Sequence, residues 1–341
     1  MRALHLASAE SLANVARQLQ YALEQSATVD EAFQKLYAAA DQRHHSTLRR
    51  LEDLLRSPQP DGAMNRRMRR SLYATLAWLL HQTGSPEQSA AAVFREYRRH
   101  ETFCGTTVVA VWSEFAGFLA YLGAVLAVLM VVVGMYGSLI LPQFRALYGG
   151  FGVVLPTVTR IAFGHGVPLF ALLLVAGLAG FLCWFVYLLR RRLRCYVPLA
   201  AAYQRIPLVG PVVVAYNQYL WLSYAGLLRA AGMRTAEALR LAGTRVPLAQ
   251  PTQWDAPVPA SEGISNFGAS AVISDLVVAA RLGKLGDEVQ FQQEATVEAF
   301  LAALARCRRR TRIILTFCVY FLVAIFVSAM YLPIFSLGSA L

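Results

Sequence analysis

Three long apolar runs without a charged residue limit what this chain can fold into. They cover residues 115–144, 167–189 and 313–341. A helix needs about 20 apolar residues to cross a bilayer core of roughly 30 Å, and each run is long enough. Helices in the core of a soluble protein seldom stay uncharged over such a length. The sequence therefore predicts three transmembrane helices, over 111–140, 167–189 and 313–333.

Arginine clusters flank the apolar runs on one side of the predicted membrane. The clusters are Arg95, Arg98 and Arg99 before the first run, Arg190, Arg191, Arg192 and Arg194 after the second, and Arg306, Arg308, Arg309, Arg310 and Arg312 before the third. The segment between the first two runs holds Arg145 and Arg160. Because cytoplasmic segments carry the excess of Lys and Arg, this asymmetry predicts a cytoplasmic N-terminus and an external C-terminus. It also accounts for much of the net charge of +12 without a nucleic-acid partner.

The orientation divides the chain into cytoplasmic segments over 1–110 and 190–312, an external loop over 141–166 and an external tail over 334–341. Apolar residues recur with a period near 3.6 in both cytoplasmic segments, which predicts amphipathic helices and an all-α fold. In the second segment, Gly232 is predicted to end one helix and Thr235 to cap the next. Glu237 then lies near the positive end of that second helix.

The two halves share motifs in the same order. LQYALEQSATVDEAF at 19–33 aligns with AGLLRAAGMRTAEAL at 225–239, and HQTG at 81–84 aligns with GKLG at 283–286. Each half continues with a helix, a basic cluster and an apolar run that ends in Leu-Pro-x-Phe. This order indicates a tandem duplication with two homologous cytoplasmic helical-bundle domains, joined by the second apolar run.

The Leu-Pro-x-Phe motifs are expected to mark where the chain leaves the membrane. Their residues are Leu141, Pro142 and Phe144 in the first copy and Leu332, Pro333 and Phe335 in the second. Proline lacks an N–H and disfavours helix at the preceding residue, so it would help the chain turn away from the bilayer. Aromatic residues suit the membrane interface.

Four stretches carry a resemblance to a known family. They are LPQFRALYGGFGVVLPTVTR at 141–160, RIPLVGPVVVAYNQYLWLSYAGLLRAAGMRTAEALRLAG at 205–243, RLGKLGDEVQFQQEA at 281–295 and SAMYLPIFSLG at 328–338. They resemble the inner-membrane platform protein of type II secretion systems and type IV pili, the GspF or PilC family. Lys284 follows Gly283 where the family usually has an acidic residue, and CRRRTR stands where it often has proline. These departures favour a divergent branch, similar to type IVb or conjugative pilus proteins.

The resemblance implies a multi-pass protein of the bacterial inner membrane, with the C-terminus in the periplasm. It implies a homo-oligomer that couples a hexameric secretion or pilus ATPase to the assembly of prepilin or pseudopilin subunits. The protein would also contact membrane lipid and other inner-membrane assembly proteins. Two cytoplasmic surfaces are candidates for the ATPase contact. Their residues are Arg229, Arg234 and Glu237 in the first, and Gly283, Gly286, Asp287 and Glu288 in the second.

The chain lacks the usual sequence signals of catalysis. It has no Gly-x-x-x-x-Gly-Lys-Ser/Thr phosphate loop, because GKLGDE at 283–288 lacks the upstream glycine and the hydroxyl. His44 and His45 have no carboxylate at ligand spacing. We therefore expect no enzymatic activity, no cofactor and no metal. A small transporter or channel subunit is the alternative function, but such proteins usually place ionisable groups inside their spans.

Overall fold

The computed structural model is all-helical over the residues that it describes. These are residues 15, 17–26, 28–40, 42–56, 72–82, 86–105, 109–150, 157, 159, 167–246 and 271–338. No strand occurs in this part of the chain, so the predicted all-α class is confirmed for it. The last two residues of the HQTG motif at 81–84 lie outside the described residues. The stretch at 247–259 lies wholly outside them.

The helices of the first half precede and include the first apolar run. They are α1 (17–25), α2 (Val29–Ala39), α3 (Gln42–Arg56), α4 (Leu72–His81), α5 (Pro86–Phe103), α6 (Val109–Met135) and α7 (Leu141–Gly150). A π-helical turn, Tyr136–Ile140, links α6 directly to α7.

The described residues of the second half form five α-helices and one short 3-10 helix. They are α8 (Val167–Arg194), a 3-10 turn (Ala201–Arg205), α9 (Gly210–Ala230), α10 (Thr235–Arg245), α11 (Ala271–Arg281) and α12 (Leu285–Gly338). The chain divides into two compact units. The first joins Met1–Val109 with Leu189–Cys307, and the second joins Ala110–Leu188 with Arg308–Leu341.

Helix α9 forms the centre of the first unit. Buried residues make up 15 of its 21 positions, so this helix is covered on every side. It contacts α10, α5, α4 and the 3-10 turn. The helices of the two predicted cytoplasmic segments thus share one core, because α4 and α5 come from the first segment and α9 from the second. Two separate helical-bundle domains are not confirmed.

A buried histidine joins the two segments within that core. The His100 ring lies in α5, where Nδ1 is 2.6 Å from the Tyr219 hydroxyl and Nε2 is 3.1 Å from the carbonyl oxygen of Leu193. A carbonyl oxygen can only accept, so Nε2 carries the proton and Nδ1 accepts from the tyrosine. Burial lowers the pKa of His100 to about 4. The ring is therefore a neutral link between helices that are distant in the sequence.

The second unit contains both Leu-Pro-x-Phe motifs. Val133, Tyr136 and Leu141 from one helical segment form a buried cluster with two residues of α12, Phe326 and Ala329. The Tyr136 hydroxyl donates a hydrogen bond of 3.0 Å to the carbonyl oxygen of Met330 in α12. The ends of the two apolar helices therefore pack against each other near their prolines.

Neither proline ends its helix, so that part of the prediction is wrong. After Pro142 the chain stays helical to Gly150, and α12 continues past Pro333 to Gly338. The π-helical turn before Pro142 changes the hydrogen-bond register where proline has no N–H to donate. Residues 141–150, predicted as part of an external loop, are therefore helical. Membrane helices tolerate such interior prolines.

Two helical stretches are long and apolar enough to cross a membrane. Among the described residues they are Ala120–Gly150 and Leu285–Leu332, whose most apolar 18-residue windows have mean hydropathies of 2.5 and 2.6. These stretches include most of the first and third predicted spans. The predicted span over 167–189 is helical as part of α8, but the side chains of 167–176 lie outside the described residues. A membrane crossing by this second predicted span, over 167–189, therefore stays a prediction.

Candidate functional site

Helix α9 ends in a glycine turn at the first predicted contact surface. Gly232 has a φ of +92°, a backbone conformation that favours glycine. Its N–H donates to the carbonyl oxygen of Arg229, and the N–H of Met233 donates to that of Leu228. This pair of bonds is the Schellman arrangement that satisfies the last carbonyl groups of a helix. The helix end predicted at Gly232 is confirmed.

Helix α11 ends in the same way at the second predicted surface. Gly283 has a φ of +71°. Its N–H donates to the carbonyl oxygen of Ala280, while the N–H of Lys284 donates to that of Ala279. The two predicted surfaces are therefore built by the same kind of turn, each followed within three residues by the start of another helix.

A hydrogen bond from Arg229 connects the two turns. Its guanidinium Nη1 donates to the carbonyl oxygen of Gly286 over 2.5 Å, from the last turn of α9 to the first turn of α12. A Cβ atom added at Gly286 would lie 3.6 Å from that Nη1 and 3.8 Å from the Thr235 hydroxyl. The two glycine turns thus form one continuous candidate site, which we call the paired-turn site.

Two glutamine side chains of α12, near the paired-turn site in the sequence, bind α12 to α9 and α11. Gln293 donates to the carbonyl oxygen of Leu222 in α9 over 2.9 Å. The helices approach closely there, because a Cβ atom added at Gly226 would lie 1.9 Å from the Gln293 amide nitrogen. Gln292 donates to both Asp275 of α11 and Glu288 of α12, at 3.1 and 2.8 Å. These contacts fix the helix ends that carry the site.

The start of α10 differs from the prediction at one residue. Arg234, and not Thr235, occupies the N-cap position, and its side chain makes no capping hydrogen bond. Two non-helical residues, Met233 and an extended Arg234, follow the glycine turn, so Thr235 is already the first helical residue. Glu237 lies in the first turn, where the positive end of the helix favours a carboxylate.

The paired-turn site presents charges of both signs. Arg234, Lys284, Glu237 and Asp287 are exposed, while Arg229 and Glu288 are half-buried. Such a surface can bind a partner of complementary charge but offers no activated nucleophile. No group of three or more His, Cys, Asp or Glu side chains that could hold a metal ion occurs among the described residues.

The Leu-Pro-x-Phe residues do not form a comparable site. Leu141 is buried in the helix-packing cluster, Phe144 is half-buried, and Pro142 is exposed. In the second copy, Leu332 and Phe335 are exposed. The Pro333 side chain lies outside the described residues.

Sequence analysis did not identify the glutamines that support the site. Gln292 and Gln293 occur in the polar stretch QFQQEA, which reads as a solvated helix face. The only signal was the glycine at 226, whose place inside an otherwise apolar helix indicates close packing. His100 and Tyr219 were also missed, because the hydrogen bond between them joins residues 119 positions apart in the sequence.

Comparison with known proteins does not identify the chain. No family model, no curated protein and no solved structure matches it.

Proposed function

We propose that the chain is an inner-membrane platform protein of a type IV pilus or type II secretion machine. In this proposal it spans the inner membrane three times, with its N-terminus in the cytoplasm and its C-terminus in the periplasm. It performs no reaction itself. It couples a hexameric secretion ATPase to the addition of prepilin or pseudopilin subunits to a fibre, and works as a homo-oligomer with other inner-membrane assembly proteins.

The contact between Arg229 and Gly286 carries the proposal. The two surfaces expected to bind the ATPase were inferred separately, 57 residues apart at this contact, and they adjoin each other in the folded chain. One contiguous surface is easier for a single partner to bind than two distant patches, because both turns can be buried in the same interface. Its mixed charges suit a partner that needs a defined orientation.

The membrane part of the proposal is supported by the two long apolar helices. Glycines in α6 offer room for an apolar pilin helix, since small residues let membrane helices approach closely. A Cβ atom added at Gly117, Gly123 or Gly134 would meet nothing within 4 Å. None of the described side chains needs these three glycines for its packing, which supports a partner helix at this face.

Site-specific crosslinking tests the ATPase contact. A photoreactive amino acid would replace Arg234 or Asp287 in the full chain, co-expressed with the hexameric ATPase of the same organism. Both positions should crosslink to the ATPase. Arg240, an exposed arginine in α10, is the matched control and should not crosslink. Equal crosslinking at all three positions, or at none, would remove the paired-turn site from the proposal.

Charge reversal tests the coupling. Arg234→Glu or Asp287→Lys should abolish fibre assembly while membrane abundance of the chain stays unchanged, because both side chains are exposed. Arg240→Glu should leave assembly intact. Normal fibres in both site variants would contradict the proposed role of this surface.

Reporter fusions test the topology that the platform proposal requires. Phosphatase fused after residue 150 should be active in the periplasm, and phosphatase fused after residue 246 should be inactive. The residues of the first and third apolar runs include no charged side chain, which disfavours an ion pathway through those two helices.

A further inference from the structure

A basic cavity lies beside α5 in the first unit and shares no residue with the paired-turn site. It has a volume of about 460 Å³ and is lined by Gln20, Arg95, Arg98, Arg99, Thr102 and Phe103. This volume falls in the range of small-molecule sites. Beyond the part of Arg95, Arg98 and Arg99 in the predicted membrane orientation, the proposed platform function assigns no role to these residues. We call this cavity the arginine pocket.

The arginine pocket has a net positive lining. Glu24 accepts hydrogen bonds from Nε and Nη2 of Arg95, at 3.3 and 2.6 Å, and Glu96 pairs with Arg99 at 3.2 Å. Arg98 instead donates to the neutral Tyr21 hydroxyl over 2.9 Å and lies 5.6 Å from the centre of that ring. Arg98 also interacts electrostatically with the carboxylate of Glu101, as does Arg17, so four guanidinium groups here face three carboxylates. Each guanidinium carries five N–H donors, more than these contacts use.

The Gln20 side chain has a buried acceptor without a partner among the described residues. The Gln20 side chain is only 5% exposed, and its Nε2 donates to Glu24 over 3.0 Å. The carboxylate can only accept, so this contact fixes the amide with Nε2 toward Glu24. The other amide atom, Oε1, is buried without a hydrogen-bond partner among the described residues. A buried acceptor of this kind is destabilising unless a donor reaches it.

We propose that the arginine pocket binds a phosphate group that carries a neighbouring hydroxyl, as in glycerol phosphate. Arginine forms paired hydrogen bonds with phosphate oxygens, which suits the guanidinium groups of Arg98 and Arg99. The hydroxyl donates to Oε1 of Gln20, and the Phe103 ring contacts the carbon skeleton. The source of this chemistry is either the headgroup of phosphatidylglycerol or a soluble glycerol phosphate.

Two binding experiments distinguish these sources, both with the full chain purified in detergent. Calorimetric titration with sn-glycerol 3-phosphate measures the soluble ligand, with glycerol as the uncharged probe. Native mass spectrometry counts dioleoyl phosphatidylglycerol molecules that stay bound after delipidation, with dioleoyl phosphatidylcholine for comparison. Binding of glycerol 3-phosphate alone indicates a soluble ligand, and selective retention of phosphatidylglycerol indicates the lipid headgroup.

Two variants locate the binding in the arginine pocket. Arg98→Gln removes one charged donor and should weaken the observed binding about tenfold or more, the usual effect of losing a charge-assisted hydrogen bond. Gln20→Glu keeps the shape of the side chain but places a carboxylate beside the phosphate, and should weaken binding at least as much. Arg240→Gln removes an exposed arginine elsewhere and should leave binding unchanged.

Circular dichroism of each variant checks that the helices are intact. If Gln20→Glu loses helicity, Gln20→Met replaces it, because it removes the Oε1 acceptor without adding charge. The proposal is overturned if neither probe binds the wild-type chain. It is also overturned if binding falls equally in Arg240→Gln, or if it stays unchanged in folded Arg98→Gln and Gln20 variants.

Discussion

The Arg229 guanidinium donates a hydrogen bond of 2.5 Å to the carbonyl oxygen of Gly286 and so joins the end of α9 to the start of α12. Both helix ends are shaped by a glycine with a positive φ, Gly232 before α10 and Gly283 before α12. The contact makes one surface of two turns that are separate in the sequence. This surface is where we expect the ATPase to bind.

Removal of the Arg229 side chain should loosen the junction of the two turns. We expect Arg229→Ala to lower the free energy of unfolding by about 1 kcal/mol, the net value of an ordinary hydrogen bond. The full value for a charged donor is not expected, because Gly286 lies inside α12, where its carbonyl group also has a helical partner. Tryptophan fluorescence during heating in detergent measures this change as a fall in melting temperature of about 2–4 °C. Arg240→Ala is the control and should melt as the wild type does.

The two buried glycines of α9 should respond differently to alanine. A Cβ atom at Gly210 would lie 2.4 Å from the backbone oxygen of Gln204, which cannot move without shifting the 3-10 turn. We expect Gly210→Ala to lower the free energy of unfolding by about 2 kcal/mol, as overpacking does.

At Gly226 the atom in the way is the end of the Gln293 side chain, which can rotate. Loss of its hydrogen bond to Leu222 lowers the free energy of unfolding by about 1 kcal/mol. The higher helix propensity of alanine raises it by about the same amount. Gly226→Ala should therefore leave the melting temperature nearly unchanged. Equal melting temperatures for the two glycine variants would contradict the packing at the start of α9.

Burial of neutral His100 should make stability depend on pH. The pKa of His100 is about 4 in the folded chain and near 6.5 in the unfolded chain. Between these values the unfolded chain binds more protons, so stability is complete above pH 6.5 and falls as the pH drops toward 4. The loss attributable to this residue is roughly 3 kcal/mol over that window.

The contribution of His100 is measured by comparing melting temperatures from pH 7 to pH 4 in the wild type and His100→Gln. Carboxyl groups contribute to both proteins alike, so the difference between the two profiles reports the histidine. The variant should lose less stability than the wild type on acidification. Parallel profiles would show that His100 is not a buried neutral ring.

Packing between the two apolar helices should depend on Ala329. This residue is fully buried against the cluster of Val133, Tyr136 and Leu141, whereas its neighbour Ser328 is exposed. Ala329→Leu should lower the melting temperature in detergent, because overpacking lowers stability by about 1–3 kcal/mol. Ser328→Leu adds a side chain of the same size on the outer face and should have little effect. The reverse order would contradict the contact between these helices.

Local signals in the sequence were sufficient for part of the fold. Gly232 could be placed at a helix end because only a glycine readily adopts its positive φ, and the residues around it have helical periodicity. The two proline motifs could not be interpreted in this way. A proline removes one hydrogen bond, and whether the helix ends there depends on its surroundings. At Pro142 a π-helical turn keeps the chain helical.

The sequence by itself determined that this chain is helical and that it contains apolar stretches long enough to cross a bilayer. These properties follow from the period and length of apolar residues along the chain, which neighbouring residues decide. Only the tertiary structure decided that Arg229 contacts Gly286, that His100 contacts Tyr219, and that the two segments predicted to be cytoplasmic share one core. Such contacts join residues far apart in the chain, and they depend on how whole helices pack.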